Sequence, residues 1–153
     1  GTHVNCTDET TGETWISDQE YKEGSFGYVG GSVYHKNSSK FQGTASDIQG
    51  TENDPLFQTM REGIEAYKFD VEKGKYRVTL LFAEPEYNAS EENIYNLSEA
   101  EKTLSRDLNL ARDYGRLQAV EISYEVKTDA GIDIEFDENS GKASLSGIKL
   151  EKL

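Results

Sequence analysis

Hydrophobic and polar residues alternate along four segments in the second half of the chain. These segments cover residues 66–71, 76–82, 119–128 and 132–137. Each alternation predicts a β-strand with one buried face and one face in water. Leu81 adds a large apolar side chain to the second face of 76–82, which predicts burial on both sides near Ala83. Several such strands at short spacing indicate an all-β fold, an antiparallel β-sandwich or barrel.

The closing segment, 143–150, changes phase partway along. Ala143 and Leu145 fit one alternation, whereas Ile148 and Leu150 fit the opposite one. Gly147 lies at the change. We expect a β-bulge at this point, because glycine inside a strand often marks one.

The first half, 7–55, is rich in Gly, Ser, Thr, Asn and Asp and has no sustained period. A compact domain rarely contains a structureless loop of this length. We therefore predict short strands around its large hydrophobic residues, joined by long surface loops, where binding residues usually lie. These residues are Trp15, Tyr21, Phe26, Tyr28, Val33, Tyr34 and Phe41.

The segment 98–114 has a helical pattern inside a chain of strands. Ser98 and Glu101 form a capping-box pattern, and Gly115 is placed to end a helix. Apolar residues follow at helical spacing, at Leu97, Leu104, Leu108 and Ala111. The local pattern alone therefore predicts one helix over 98–114.

Length and charge limit the classes of protein that this chain can represent. Its 153 residues are the length of one domain, and we predict a single domain over 1–153. The net charge of −13 disfavours nucleic acid and membrane surfaces as partners, because both carry negative charge. Cys6 is the only cysteine, so no internal disulfide supports the fold.

Three stretches together resemble the malectin-like domain family. They read GTENDPLFQTMR at 50–61, YKFDVEKGKYRVTLLFAE at 67–84 and SGIKL at 146–150. The resemblance covers nearly the whole chain and implies a galactose-binding-like jelly-roll sandwich with one short helix. It is strongest to modules at the C-terminus of bacterial family 2 glycoside hydrolases, the β-galactosidase group. We therefore expect a fragment of a larger secreted enzyme, periplasmic or extracellular.

The resemblance also offers a second interpretation of 98–114. Residues 93–98 are similar to a family strand, Glu99 and Ala100 occupy the place of its turn, and 102–105 are similar to the return strand. A short helical turn over 107–114 would follow. We prefer this hairpin to the single helix.

The resemblance implies four sugar-binding positions: Tyr34, Glu62, Glu86 and Tyr87. Tyr34 and Tyr87 keep the aromatic residues of the sugar-binding members, whereas Glu62 and Glu86 replace aromatic residues by carboxylates. The family's acidic ligand has approximate counterparts in Asp137, Glu138 and Asn139.

Two functions stay open at this point. One is a carbohydrate-binding accessory module, whose partner is an oligo- or polysaccharide. The other is a structural module that packs on the parent catalytic domain and has lost sugar binding. An exposed apolar patch would favour the second function.

Other candidate residues have more ordinary interpretations. Arg61 and Glu84 are better explained as an internal ion pair that braces the loops than as sugar ligands. Trp15 is better explained as a core residue than as a stacking platform. A dense Asp-x-Asp loop is missing, so we predict no metal and no cofactor, although four aspartates merit inspection as calcium ligands. They are Asp8, Asp18, Asp47 and Asp54.

Catalysis by the domain itself is disfavoured. A glycosidase needs two carboxylates that flank the scissile bond, roughly 5–10 Å apart. Glu84 and Glu86 are separated by one residue, and neighbours so placed on one strand do not flank a substrate. We therefore predict that this domain is not an enzyme and has no catalytic residues.

Overall fold

The computed structural model describes residues 6–8, 11–36, 40–88 and 92–153, and in them β-strand is the predominant regular structure. Two short helices interrupt the strands, α1 (Asp54–Gln58) and α2 (Leu110–Asp113). The strands are β1 (Cys6–Thr7), β2 (Thr14–Trp15), β3 (Phe26–Val29), β4 (Ser32–Val33), β5 (Arg61–Glu62), β6 (Ala66–Phe69), β7 (Gly74–Phe82), β8 (Ile94–Glu99), β9 (Lys102–Leu108), β10 (Val120–Thr128), β11 (Ile132–Ser140), β12 (Ser144–Leu145) and β13 (Gly147–Lys152).

Antiparallel pairing organises these strands into a sandwich, as the alternating pattern predicted. A five-stranded sheet has the order β3-β6-β11-β8-β9, and a three-stranded sheet has the order β10-β7-β13. A smaller sheet, β12-β5-β4, and the pair β1-β2 complete the fold. The main core contains buried residues of both larger sheets, including Leu80 of β7 and Ile134 of β11. The predicted all-β sandwich is confirmed.

Strand β7 is buried on both faces over its second half, residues 78–82, as Leu81 indicated. Tyr76, Val78, Leu80 and Phe82 share one face and are at most 4% exposed. Leu81 points the other way, into a second cluster that contains Ile48, Leu56, Phe57 and Ala83. Burying one such side chain contributes about 1.5–3 kcal/mol, so this strand is a main source of stability.

The phase change near Gly147 is a change of sheet. Leu145 of β12 pairs with Arg61 of β5, whereas Gly147 of β13 pairs with Leu81 of β7. The expected bulge is therefore wrong, because the chain passes from one sheet to another at Ser146. Glycine suits this crossing, since a Cβ on Gly147 would lie 3.2 Å from Leu81 Cδ1.

The segment 98–114 forms a hairpin and a short helix. Strands β8 and β9 pair across a turn at Ala100 and Glu101, and α2 follows. The single-helix prediction is wrong because β8 also pairs with β11, which buries Tyr95 and Leu97 completely or nearly so. Non-local pairing with burial on this scale outweighs a local capping pattern. Only one short helix was expected, and α1 is an addition to that expectation.

Short strands carry four of the seven large hydrophobic residues singled out in the first half. Trp15, Phe26, Tyr28 and Val33 lie in β2, β3 and β4. Tyr34 follows β4, and its backbone N–H donates to the carbonyl of Met60 at 2.9 Å. The strand predicted around Phe41 is wrong, because this residue lies in a bend and is 54% exposed.

Candidate functional site

Five chain segments meet at one end of the small sheet and enclose a concave site, the loop pocket. Glu62 of β5 pairs with Ser32 on one side and Ser144 on the other, which brings the ends of β4 and β12 together. The loop after β7 and the residues before β8 close the other side. The pocket has a volume of about 330 Å³. Its walls include all four predicted sugar-binding residues, Tyr34, Glu62, Glu86 and Tyr87.

The two tyrosines of the loop pocket differ in exposure. Tyr87 is 37% exposed, so its ring is open to a ligand. Tyr34 is only 4% exposed and donates its hydroxyl hydrogen to Glu86 Oε1 at 2.8 Å. Burial, aided by this hydrogen bond, raises the pKa of Tyr34 well above its usual value, so the hydroxyl remains a neutral donor. Tyr34 therefore forms the floor and fixes Glu86, and it offers little ring face for stacking.

Glu84 lies beneath the pocket and shapes the loop after β7. Its side chain is buried, and Oε1 accepts the backbone N–H groups of Glu86 at 3.3 Å and Tyr87 at 3.1 Å. Asn93 Nδ2 lies 3.5 Å from the other oxygen. Burial raises the pKa of Glu84 despite these donors, which lower it. The carboxylate thus holds the loop that presents Tyr87.

Arg61 has another partner than the one predicted. Its Nε donates to Asp18 Oδ2 at 2.9 Å, and its guanidinium lies 3.5 Å from the centre of the Tyr28 ring. The predicted Arg61–Glu84 pair is therefore wrong, although an internal Arg–carboxylate pair exists. A buried guanidinium with a carboxylate and an aromatic face is well satisfied.

Lys142 and its neighbours complete the loop pocket from the far end of the chain. Lys142 Nζ lies 3.4 Å from Glu62 Oε1, and its backbone N–H donates to Asn93 Oδ1 at 2.9 Å. Glu92 and Ser144 also line the site. No local motif marked these residues, because they reach the pocket only through the pairing of distant strands.

The expected counterparts of the family's acidic ligand lie elsewhere. Asp137 and Glu138 pair with β8 inside β11. Asn139 Nδ2 donates to Asn96 at 3.2 Å and Asp107 at 3.1 Å. The corresponding stretch of chain brings Lys142 to the pocket, so a cation stands near the place where an acidic ligand was expected.

A second cavity, the apolar groove, opens between the edges of the two larger sheets. Its volume is about 390 Å³. The groove is bordered by β2 with the residues that follow it, by β3 and by β13. Its apolar lining includes Trp15, Ile16, Phe26, Phe69, Leu145 and Ile148. Ile16 is 59% exposed. Trp15 is half-buried and packs against the second core cluster, as predicted for a core residue.

Three of the four aspartates considered as calcium ligands have separate partners within the protein. Asp18 pairs with Arg61, Asp54 Oδ2 accepts the backbone N–H of Ile48 at 3.0 Å, and Asp8 Oδ1 accepts Asn53 Nδ2 at 3.0 Å. Within the described residues, no three or more His, Cys, Asp or Glu side chains are grouped to hold a metal ion. No helix in the same part of the chain is long and apolar enough to cross a membrane.

The antiparallel sandwich and its aromatic and carboxylate pocket define a β-sandwich module with a candidate site on its loops. The chain belongs to the malectin domain family, whose model matches residues 1–147. No curated relative matches the chain.

Solved structures place the same fold in much longer proteins. A β-glucuronidase of Bacteroides uniformis is 33% identical to this chain, with a TM-score of 0.88. The match covers 97% of this chain and 17% of the β-glucuronidase chain. Bacteroides uniformis β-glucuronidase 2, covalently bound to cyclophellitol-6-carboxylate aziridine, is 35% identical with a TM-score of 0.85, over 96% and 16%. The ANX2 ectodomain from Arabidopsis thaliana shares the fold alone, at 14% identity and a TM-score of 0.72, over 99% and 48%. The chain thus spans about a sixth of these two glycoside hydrolases.

Proposed function

We propose that this domain is a non-catalytic carbohydrate-binding module of a glycoside hydrolase, and that the loop pocket binds its sugar. The observation that carries the proposal is the half-open ring of Tyr87 beside the carboxylates of Glu62 and Glu86 in one pocket. An aromatic face covers the apolar face of a pyranose, and carboxylate oxygens accept its hydroxyl groups. Membership of the malectin family supports the same function.

Each residue of the loop pocket has a distinct part in this proposal. Tyr87 stacks on the sugar ring. Glu62 and Glu86 accept hydrogen bonds from hydroxyl groups. Tyr34 orients Glu86 from below through its 2.8 Å hydrogen bond. Glu84 contacts the loop and not the ligand, since its Oε1 already accepts two backbone N–H groups.

The parent enzyme is part of the proposal. The resemblance in the sequence predicted the β-galactosidase group, whereas the two bacterial neighbours are β-glucuronidases. We therefore place the domain in a glycoside hydrolase and favour a β-glucuronidase, secreted to the periplasm or beyond the cell. The catalytic carboxylates belong to another domain of that enzyme, and this module has no metal or cofactor of its own.

Calorimetric titration with a panel of neutral galactosides and glucosides tests the proposal. We expect weak, saturable binding to at least one member. Binding of none of them at millimolar concentration would overturn it. Nitrophenyl glycosides test the non-catalytic part, and turnover by the pure domain that Glu84→Gln abolishes would contradict it.

The apolar groove favours a second function, packing on the parent catalytic domain. Protein contacts are built around apolar and aromatic centres, and the groove exposes Ile16 beside Trp15 and Ile148. This function and sugar binding use different surfaces, so one domain can perform both.

A further inference from the structure

The loop pocket carries a strong excess of negative charge. Glu62, Glu84, Glu86 and Glu92 all line it, and Lys142 is the one lysine or arginine among its described lining residues. Glu86 and Glu92 are exposed at the mouth, whereas Glu84 is buried below. A ligand that enters the pocket therefore meets carboxylates on several sides.

Lys142 offsets only part of this charge. Its Nζ lies 3.4 Å from Glu62 Oε1, so the ammonium group is already matched by one carboxylate of the pocket. The lysine side chain is 61% exposed, and water screens a cation at such a position. Carboxylates therefore outnumber the lysines and arginines among the described lining residues of the pocket.

The phenol of Tyr87 lies in the electrostatic field of these carboxylates, at the place where a sugar ring would stack. The pKa of Tyr87 is raised chiefly by the carboxylate of Glu86, then by slight burial, and then by Glu92, Glu84 and Glu62. Each of the four carboxylates thus disfavours a negative charge on this ring. An anionic group of a ligand at the same place would meet the same repulsion.

We infer that the loop pocket selects sugars by charge: it binds neutral hexosides, binds amino sugars more tightly, and rejects uronic acids. This inference rests on the proposed function. It separates the module from the catalytic site of the enzyme proposed as its parent, because a β-glucuronidase releases a uronate. The module would hold a neutral or amino sugar of the same glycan.

Sugars with the same ring configuration and different charges provide the test. Methyl galactoside, the galactosamine glycoside and the galacturonate glycoside form one series, and the corresponding glucose compounds form a second. At low ionic strength we expect the amino sugar to bind most tightly and the uronate to bind at least about tenfold more weakly than the neutral sugar. About 0.5 M salt should narrow these differences, since it shortens the Debye length to a few ångströms.

The methyl ester of the uronate gives a control that leaves the protein unchanged. The ester removes the charge and adds only one methyl group to the ligand, so we expect it to bind like the neutral sugar. Glu86→Gln should narrow the charge preference as well, because it removes one carboxylate from the pocket. Its amide oxygen can still accept the hydrogen of the Tyr34 hydroxyl, so the pocket should keep its shape. Glu135→Gln is the matched control variant, since it removes one exposed carboxylate of β11 that does not line the pocket.

The outcomes separate the inference from the function on which it rests. Uronate binding equal to that of the neutral sugar would overturn the charge selection and leave sugar binding intact. An ester that binds as weakly as the free uronate would also overturn it, because shape and not charge would then decide. Failure of every compound in both series would reject the proposed function and this inference together.

Discussion

The loop pocket and the apolar groove are similar in volume and opposite in chemistry. The first holds about 330 Å³ and the second about 390 Å³. The loop pocket presents carboxylates around one exposed tyrosine, whereas the groove presents Trp15, Ile16 and Ile148. Hydroxyl groups need partners of the first kind, and another protein's side chains pack on the second. The lining of the two cavities, and not their size, distinguishes the proposed sugar site from the proposed docking surface.

The two sites also differ in how the fold builds them. The loop pocket collects residues from strand ends, where side chains leave the sheet and face solvent. The groove is a gap between the edge strands β3 and β13, through which core residues such as Phe26 reach the surface. Arg61 and Asp18 both line the groove and form an ion pair with each other.

Removal of Arg61, which lies on the groove side, should cause the largest loss of stability. Arg61→Ala leaves Asp18, whose side chain is 16% exposed, without its cation, and removes the contact with Tyr28. We expect a loss of about 3 kcal/mol in the free energy of unfolding, measured by denaturant titration. Arg112→Ala removes an exposed ion pair and is the control, with an expected loss below about 1 kcal/mol. Equal losses in the two variants would contradict the assignment.

Removal of Tyr87 should act on the loop pocket alone. Loss of a stacked aromatic ring costs about 0.5–1.5 kcal/mol beyond the lost contact area, so Tyr87→Ala should weaken sugar binding several-fold. Stability should change little, because this side chain is 37% exposed. Tyr114 is 47% exposed and does not line the pocket, so Tyr114→Ala should bind like the unmodified domain. Calorimetric titration against the sugar found by the panel measures both variants.

A charge in the apolar groove should separate the two functions. Ile16→Asp should leave the unfolding free energy of the isolated domain within about 0.5 kcal/mol and leave its sugar affinity unchanged. In the full-length enzyme, the same change should lower the unfolding temperature of this domain, because it places a charge in the contact with the catalytic domain. An unaltered unfolding profile of that enzyme would reject docking through the groove.

The smallest effect should be a pH dependence contributed by Glu84. Burial raises its pKa in the folded state above that in the unfolded chain, so the folded domain binds the proton more tightly. Its contribution to stability is therefore complete at pH values below the unfolded pKa and is lost as the pH rises through the folded pKa. The difference in unfolding free energy between the unmodified domain and Glu84→Gln should fall as the pH rises above about 4. A difference that stays level or rises would contradict the raised pKa.

The sequence alone determined the strands and the neighbourhood of the site. Alternation over 76–82 is local and regular, and it predicted a strand with one buried face, while Leu81 predicted burial of the second face near Ala83; β7 has both features. The family resemblance selected Tyr34, Glu62, Glu86 and Tyr87, and the structure brings these four residues to one pocket. Their binding of a sugar stays a prediction. Period-2 patterns succeed because the burial of one strand face is written in consecutive residues.

Only the tertiary structure decided the features that depend on distant partners. The helical pattern at 98–114 yields to a hairpin because β8 pairs with β11, the central strand of the five-stranded sheet. Arg61 selects Asp18, 43 positions away, and Lys142 reaches Glu62 across 80 positions. The burial of Tyr34 also depends on distant parts of the chain, since its contacts include Met60 and Glu86. Local sequence does not encode such contacts, because they form only once distant strands have paired.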